Sequence, residues 1–308
     1  MEYIHRPVMF NECMSGLDIK EDGIYVDCTL GGGGHTEGIL KSLTAGRVFA
    51  CDLDNDAINN AIVKLKKYED KITYFHSDYK NLVYSLRNIG INSVDGILID
   101  LGVSSYQLDC SERGFSYSID AKLDMRMNKD SDFSAYNVVN EYSQDLLTEI
   151  FFKYGEERYA RKIASAIVEL RRLKPISTTL ELSQLIIKTY PRNFNGGHPA
   201  KRCFQAIRIE VNGELDGLEN AIFSLVGLLK SGGRMVTIAF HSLEDRIIKT
   251  AFKALESECL CDKSLPQCVC GKKREITILT KKPLTAGSME LAINNRAASA
   301  KLRIIEKL

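Results

Sequence analysis

With 308 residues, 44% of them apolar and 26% charged, the chain can bury a sizeable core as one large domain or two smaller ones. Nine cysteines over this length are too few for a disulfide scaffold, and residues 1–11 show neither a basic start before an apolar run nor a small-residue cleavage site. The thiols are therefore expected to be reduced and the protein cytoplasmic. A formal net charge of +1 leaves any nucleic-acid partner dependent on a local basic patch, and apolar runs such as 96–101 fall far short of the roughly 18 residues that cross a bilayer.

In chain order, apolar runs at 23–30, 47–53 and 96–101 alternate with polar-faced segments at 36–43 and 56–68. This βαβα rhythm predicts a parallel sheet with helices on its faces. From about 105 to about 199 the pattern changes to long helical stretches, including 142–152 and 158–173, with Pro175 and Pro191 as breaks. The α/β rhythm then resumes: 215–230 reads as an amphipathic helix, Ser231-Gly232-Gly233 stops it, and 234–240 reads as a strand. Two late β-rich segments, 275–280 and 300–306, suit an antiparallel pair at the sheet edge. The expected organisation is an α/β core of residues 1–105 and 200–308 interrupted by an all-helical insertion, 106–199.

The strand Gly23-Ile24-Tyr25-Val26-Asp27-Cys28-Thr29-Leu30 runs into Gly31-Gly32-Gly33-Gly34-His35-Thr36 and then a helix. Glycines permit positive φ and close approach of a ligand to the main chain, and the helix start exposes unpaired N–H groups, so the turn reads as a nucleotide-cofactor site; the alternative is a flexible surface loop. Asp52 ends the next strand, where a carboxylate can accept both ribose hydroxyl protons; alone, it could equally cap the helix from Asp56 onward. Thr36 stands where a dinucleotide fold wants its third glycine, and no lysine precedes it to bind a triphosphate. NAD and ATP are thus disfavoured. Asp27, four positions before the glycines, suits a cofactor with a cationic amino-acid end, which S-adenosylmethionine has.

With these residues in place the chain resembles, over nearly its whole length, the bacterial small-subunit rRNA cytosine-N4 methyltransferases known as MraW or RsmH. The resemblance is carried by His5-Arg6-Pro7-Val8, Gly31 to His35, Asp100-Leu101-Gly102-Val103-Ser104-Ser105 with Gln107-Leu108-Asp109, Glu112-Arg113-Gly114-Phe115-Ser116 and Leu123-Asp124-Met125-Arg126-Met127. It continues through Tyr154-Gly155-Glu156-Glu157-Arg158, His198-Pro199-Ala200, Phe204 to Asn212 with Glu214-Leu215, and Phe240-His241-Ser242-Leu243-Glu244-Asp245-Arg246. It implies a class I, Rossmann-like methyltransferase sheet with a helical substrate-recognition insertion. It further implies methyl transfer from S-adenosylmethionine to the N4 amine of one cytidine in the decoding region of 16S rRNA, as free RNA or within the small ribosomal subunit. The family's cofactor contacts fall on Gly33, Gly34, His35, Asp52, Tyr79, Asp100 and Gln107. Tyr79 replaces the usual phenylalanine, Tyr106 a usual proline, and Asn294-Asn295-Arg296-Ala297-Ala298-Ser299 a tail with one more arginine. Oligomeric state is not legible.

Cytosine N4 is a poor nucleophile because its lone pair is delocalised into the ring, so catalysis rests on positioning and on an acceptor for an N4 hydrogen. Amino methyltransferases often carry an Asp-Pro-Pro-Tyr type of motif here. This strand end keeps only the acid, Asp100, which is the first candidate, followed by Ser104 and His241; His241 could instead orient Glu244 or cap a helix. A flipped-out base could stack on Tyr106 or Phe115. Two basic segments could hold phosphates. One is 153–174, with Lys153, Arg158, Arg161, Lys162, Arg171, Arg172 and Lys174 against three acids; the other is 272–308, with nine cations against three acids. Cys259-x-Cys261 and Cys268-x-Cys270 supply enough thiols for zinc, but the spacing differs from the usual zinc pairs. They are read as reduced thiols on a loop, with no metal assigned and zinc as the alternative.

Overall fold

The computed structural model describes residues 7–191, 194, 196–259, 261 and 270–308; His5, Arg6, Pro266 and Cys268 lie outside them. Packing divides the chain into two units, one running up to Gly102 and resuming at Gly217, the other Val103–Asp216. The first unit opens with α1 (Phe10–Leu17), β1 (Ile24–Asp27), α2 (Gly34–Ser42), β2 (Arg47–Asp52), α3 (Asn55–Lys64), β3 (Ile72–His76), α4 (Leu82–Asn88) and β4 (Val94–Asp100). The second contains α5 (Ser105–Asp109), α6 (Ala135–Glu141), α7 (Gln144–Lys153), α8 (Ala160–Arg171), α9 (Thr179–Thr189) and α10 (Ala200–Asn212). The first resumes with α11 (Leu218–Val226), β5 (Leu229–Ala239), α12 (Ser242–Glu256), β6 (Ile276–Ile278), α13 (Ser288–Ile293) and β7 (Lys301–Lys307). None of the described helices is long and apolar enough to cross a membrane.

The sheet has the order β3-β2-β1-β4-β5-β7-β6. β1 to β5 are parallel, and β7 runs antiparallel between β5 and β6, so the expected edge pair forms. Strand order reverses between β1 and β4, and in doubly wound sheets ligands bind outside the carboxyl ends of the strands at such a point. The period-two alternation of the strands sorts their side chains onto two cores. Val26, Phe49, Ile97, Ile99 and Met235 pack with α4, α11 and α12. Tyr25, Val48, Ala50, Leu98, Val236 and Ile238 pack with α1, α2 and α3. Cys13, Cys28 and Cys51 are buried in these cores, and burial pushes their thiols well above the usual range. Cys203, in the helical unit, is buried likewise.

Three boundaries differ from the sequence reading. The helix expected to run to Lys230 ends at Val226 because Leu228 and Leu229 turn into the core beside Val94, and Gly232, with φ +75°, lies within an irregular start of β5. The helical unit ends at Asp216, not at 199, because α10 buries Ala200, Cys203, Phe204, Ala206 and Ile207 in the same core as Phe151 and Ile163. It begins at Val103, before the expected residue 106, since Ser104 caps α5. Phe115, a stacking candidate, is 7% exposed in that core, whereas Tyr106 is 46% exposed.

Gly96 sits in mid-β4 where a Cβ would come within 2.7 Å of the buried Tyr25 ring. Gly96→Ala is expected to cost about 1–3 kcal/mol through overpacking, read as a lower denaturation midpoint at unchanged slope.

Candidate active site

The carboxyl ends of three neighbouring strands each deliver an acid: Asp27 from β1, Asp52 from β2 and Asp100 from β4. Their environments separate their roles. Asp27 is 1% exposed and accepts the Thr36 hydroxyl at 2.6 Å and the Thr29 N–H at 3.1 Å. Burial raises its pKa and those two hydrogen bonds partly oppose the rise. It therefore braces the glycine turn from inside, a duty that residue spacing did not disclose. Asp52 braces the turn from the other side, accepting the Gly31 N–H at 2.7 Å on one oxygen and the Asp54 N–H at 2.8 Å on the other. The cap of α3 is Asp54. Burial pushes Asp52 up to about 6 despite its backbone hydrogen bonds.

Between these braces Gly31 and Gly33 take φ of +48° and +68°, and Gly33 is the cap residue from which α2 starts. Such a turn presents backbone N–H groups and the positive end of the helix dipole to a ligand. At Gly34 a Cβ would stand 2.3 Å from Pro7, so the chain passes too close for any side chain. His35 is buried, with Nε2 3.0 Å from the Val8 carbonyl, Nδ1 3.6 Å from Asp100 Oδ2 and its ring stacked on Phe10. Donation from Nε2 to Val8 leaves the neutral ring's Nδ1 as an acceptor facing Asp100.

Asp100 differs from the other two acids. Its backbone N–H donates to the Thr29 hydroxyl at 2.7 Å, and its Oδ1 is buried with no hydrogen-bond partner among the described residues. Burial, and then the charges of Asp27 and Glu244, raise its pKa well above the usual carboxylate range. An unsatisfied buried acceptor is costly, which sets Asp100 apart from the two neighbouring acids. Tyr79 follows the end of β3, half-buried against the sheet core with Lys80 Nζ 5.9 Å from its ring centroid.

His241 Nε2, like Asp100 Oδ1, is buried with no hydrogen-bond partner among the described residues, although the ring acts as the alternative helix cap. It caps α12, with Nδ1 accepting the Glu244 N–H at 3.4 Å, while Glu244 accepts the Phe240 and His241 N–H groups at 2.8 and 3.2 Å. In the helical unit, Ser104 and Gln107 form a capping box: the Ser104 hydroxyl accepts the Gln107 N–H at 3.2 Å, and Gln107 Oε1 accepts the Ser104 N–H at 3.0 Å. Gly33, Gly34, His35, Asp52, Tyr79 and Asp100 thus share one sheet edge, with His241 just beyond β5, whereas Ser104 and Gln107 belong to the helical unit. Thr29 and Thr36 were missed. Only their spacing of two and nine residues from Asp27 hinted at them.

The MraW methylase family matches residues 2–308. The chain belongs to that family. It is a methyltransferase that uses S-adenosylmethionine. It is 54% identical over 310 residues to the ribosomal RNA small subunit methyltransferase H of Clostridium botulinum (strain Loch Maree / Type A3), covering 100% of both chains. It is 49% identical over 311 residues to the protein of the same name from Clostridioides difficile (strain 630), again covering 100% of both. A solved structure, a putative rRNA methylase from Clostridium thermocellum, overlays with a TM-score of 0.45 at 13% identity, covering 99% of this chain and 100% of that one.

The basic segments of the methyltransferase are partly consumed by its own fold. In 153–174, Arg171 donates to the Val139 and Tyr142 carbonyls, Lys162 to the Thr189 carbonyl and Lys174 to Glu181, while Lys153, Arg158, Arg161 and Arg172 are exposed. In the C-terminal segment, Lys301 and Arg303 bind Asp245, Lys272 and Lys307 bind Glu275, and Arg274 binds Glu256, while Lys273, Lys281 and Lys282 are exposed.

Removing the Thr36 hydroxyl deprives a buried carboxylate of a donor. Thr36→Val is expected to lose about 1–3 kcal/mol at neutral pH. Because the folded-state pKa of Asp27 is raised, its charged form costs stability above that pKa, so the loss should shrink as acid protonates it. Denaturant midpoints at pH 7.5 and 5 check this.

Proposed function

We propose that this methyltransferase acts in the cytoplasm on the N4 amine of a specific cytidine in the decoding region of 16S rRNA, free or within the small ribosomal subunit. The rRNA substrate class follows the names of relatives about 50% identical over the full chain. The observation that carries the choice of an exocyclic amine is the buried, unpartnered Oδ1 of Asp100 at the carboxyl end of β4.

The residues present fit the cofactor. Asp52, at the end of β2, would accept its ribose hydroxyls, Tyr79 would stack on its adenine, and Gly33, Gly34 and His35 would supply the turn that holds it. The family resemblance alone adds Gln107 as a cofactor contact. When bound, S-adenosylmethionine supplies an electrophilic methyl group on sulfur. Asp100 accepts one N4 hydrogen, which turns the amine lone pair toward the methyl, and it takes the proton that N4 sheds once methylated. A carboxylate with a raised pKa suits that second duty, and His35 Nδ1, facing Asp100, can share the proton before it passes to solvent. His241 and Ser104 position helices and do not touch the reacting atoms in this reading. The exposed Lys153, Arg158, Arg161 and Arg172 support reading the helical unit as the substrate-recognition part, where they would hold RNA phosphates.

Nucleoside mass spectrometry of small-subunit RNA incubated with the protein and S-adenosylmethionine is expected to show new N4-methylcytidine. Asp100→Asn should slow the reaction by about 10²–10⁴-fold while the protein stays folded. Methylation at a ring carbon, or wild-type rates in the variant, would overturn the assignment. Ribose hydroxyls favour the charged form of Asp52, so cofactor Kd should be flat above pH 6 and rise as the pH falls through about 6. Calorimetric titration of Asp52→Asn should show weaker binding, by about 10–100-fold, with that pH dependence removed.

A further inference from the structure

Three thiols from two arms of the chain meet beside the end of α12. The first arm leaves the helix through Ser257, whose hydroxyl accepts the Cys259 N–H at 3.2 Å, and continues to Cys261. The second arm brings back Cys270, followed by Gly271 at φ +60°, and enters β6. Both stems are fixed: the Glu275 N–H donates to the Leu255 carbonyl at 3.0 Å, and Glu256 accepts the Ile278 N–H at 2.9 Å and the Arg274 guanidinium at 3.3 Å. The sulfur atoms of Cys259, Cys261 and Cys270 all lie within 4.8 Å of one another, and those of Cys259 and Cys270 are 3.8 Å apart.

That separation is far from a disulfide bond of about 2.05 Å. It matches the edge of a tetrahedron of sulfurs around zinc, which zinc–sulfur bonds of about 2.3 Å set at roughly 3.8 Å. The Cys261 N–H donates to Cys259 Sγ at 3.3 Å, an interaction that favours the thiolate, and the exposed Lys273, three residues after Cys270, adds positive charge on the second arm. Soft sulfur donors without a carboxylate suit zinc and disfavour magnesium, calcium and manganese.

We infer that Cys259, Cys261 and Cys270 form a structural zinc site that clips the segment after α12 to the start of β6. The spacing of the two C-x-C pairs did not favour a metal; the convergence of Cys259, Cys261 and Cys270 does. The inference rests on these three residues alone, since Cys268 lies outside the described residues, and it is independent of the reaction proposed above. On binding, each thiol releases its proton to solvent as a sulfur–zinc bond forms, and one coordination position is left for a fourth ligand.

The full-length protein, reconstituted with zinc sulfate under a thiol-free reductant and dialysed, is expected to hold about one zinc per chain by elemental mass spectrometry. Cys259→Ser and Cys270→Ser should each lower that content about tenfold or more, while Cys110→Ser, outside the cluster, should retain it. Titration of wild type with cobalt(II) is expected to give thiolate-to-cobalt charge-transfer bands and the intense visible bands of a tetrahedral site, which keeps the inference testable if a serine variant fails to fold. Folded wild-type protein that takes up neither zinc nor cobalt, or zinc retained in both serine variants, would overturn it.

Discussion

The glycine turn depends on the hydrogen bond between Asp27 and Thr36. A run of four glycines has almost no conformational preference of its own, and each residue loses more freedom on folding than any other type would. Two carboxylates from adjacent strands overcome that loss, Asp27 by gripping the first turn of α2 and Asp52 by gripping Gly31. Since β1 and β2 are paired in register, Asp27 opposite Ala50, the separation of the two grips is set by the sheet and not by the loop. The turn is therefore as rigid as the strands that feed it, although its sequence is the most permissive in the chain.

The same arrangement grades the three strand-end acids. Asp27 has each oxygen engaged and almost no exposure, Asp52 has both oxygens on backbone donors, and Asp100 keeps one buried oxygen without a partner among the described residues. Burial raises the pKa of all three; hydrogen bonds moderate the rise at Asp27 and Asp52, whereas at Asp100 the charges of Asp27 and Glu244 add to it. A sheet edge that looks like three equivalent aspartates in sequence is thus a series running from a fully engaged brace to a carboxylate with one open acceptor.

Much of this was legible without coordinates because it is local. The strand, glycine turn and helix at 23–43, and the acid ending the next strand, announce themselves by period and spacing. What was not legible depends on which surface a side chain meets. The amphipathic pattern of 200–212 specifies a helix but not the core that receives it, so α10 was assigned to the wrong unit. Phe115 could have been a stacking platform until Val138, Phe151 and their neighbours buried it in the helical core. Charge counting failed similarly: Arg171 and Arg303 look like phosphate ligands in a list, yet one ties down two carbonyls and the other is spent on Asp245. The family resemblance brought Tyr79, a half-buried ring after β3, into view when no periodicity could.

The burial of Cys13, Cys28, Cys51 and Cys203 has one more consequence. A thiol must ionise and be reached before it attacks an electrophile or is oxidised, and these four can do neither readily while the protein is folded. Among the described residues the cysteines therefore fall into two populations, one chemically silent inside the sheet and helical cores and one less buried, Cys110, Cys259, Cys261 and Cys270. An alkylating label applied to the native protein would mark the second population and leave the first as an internal record of unfolding.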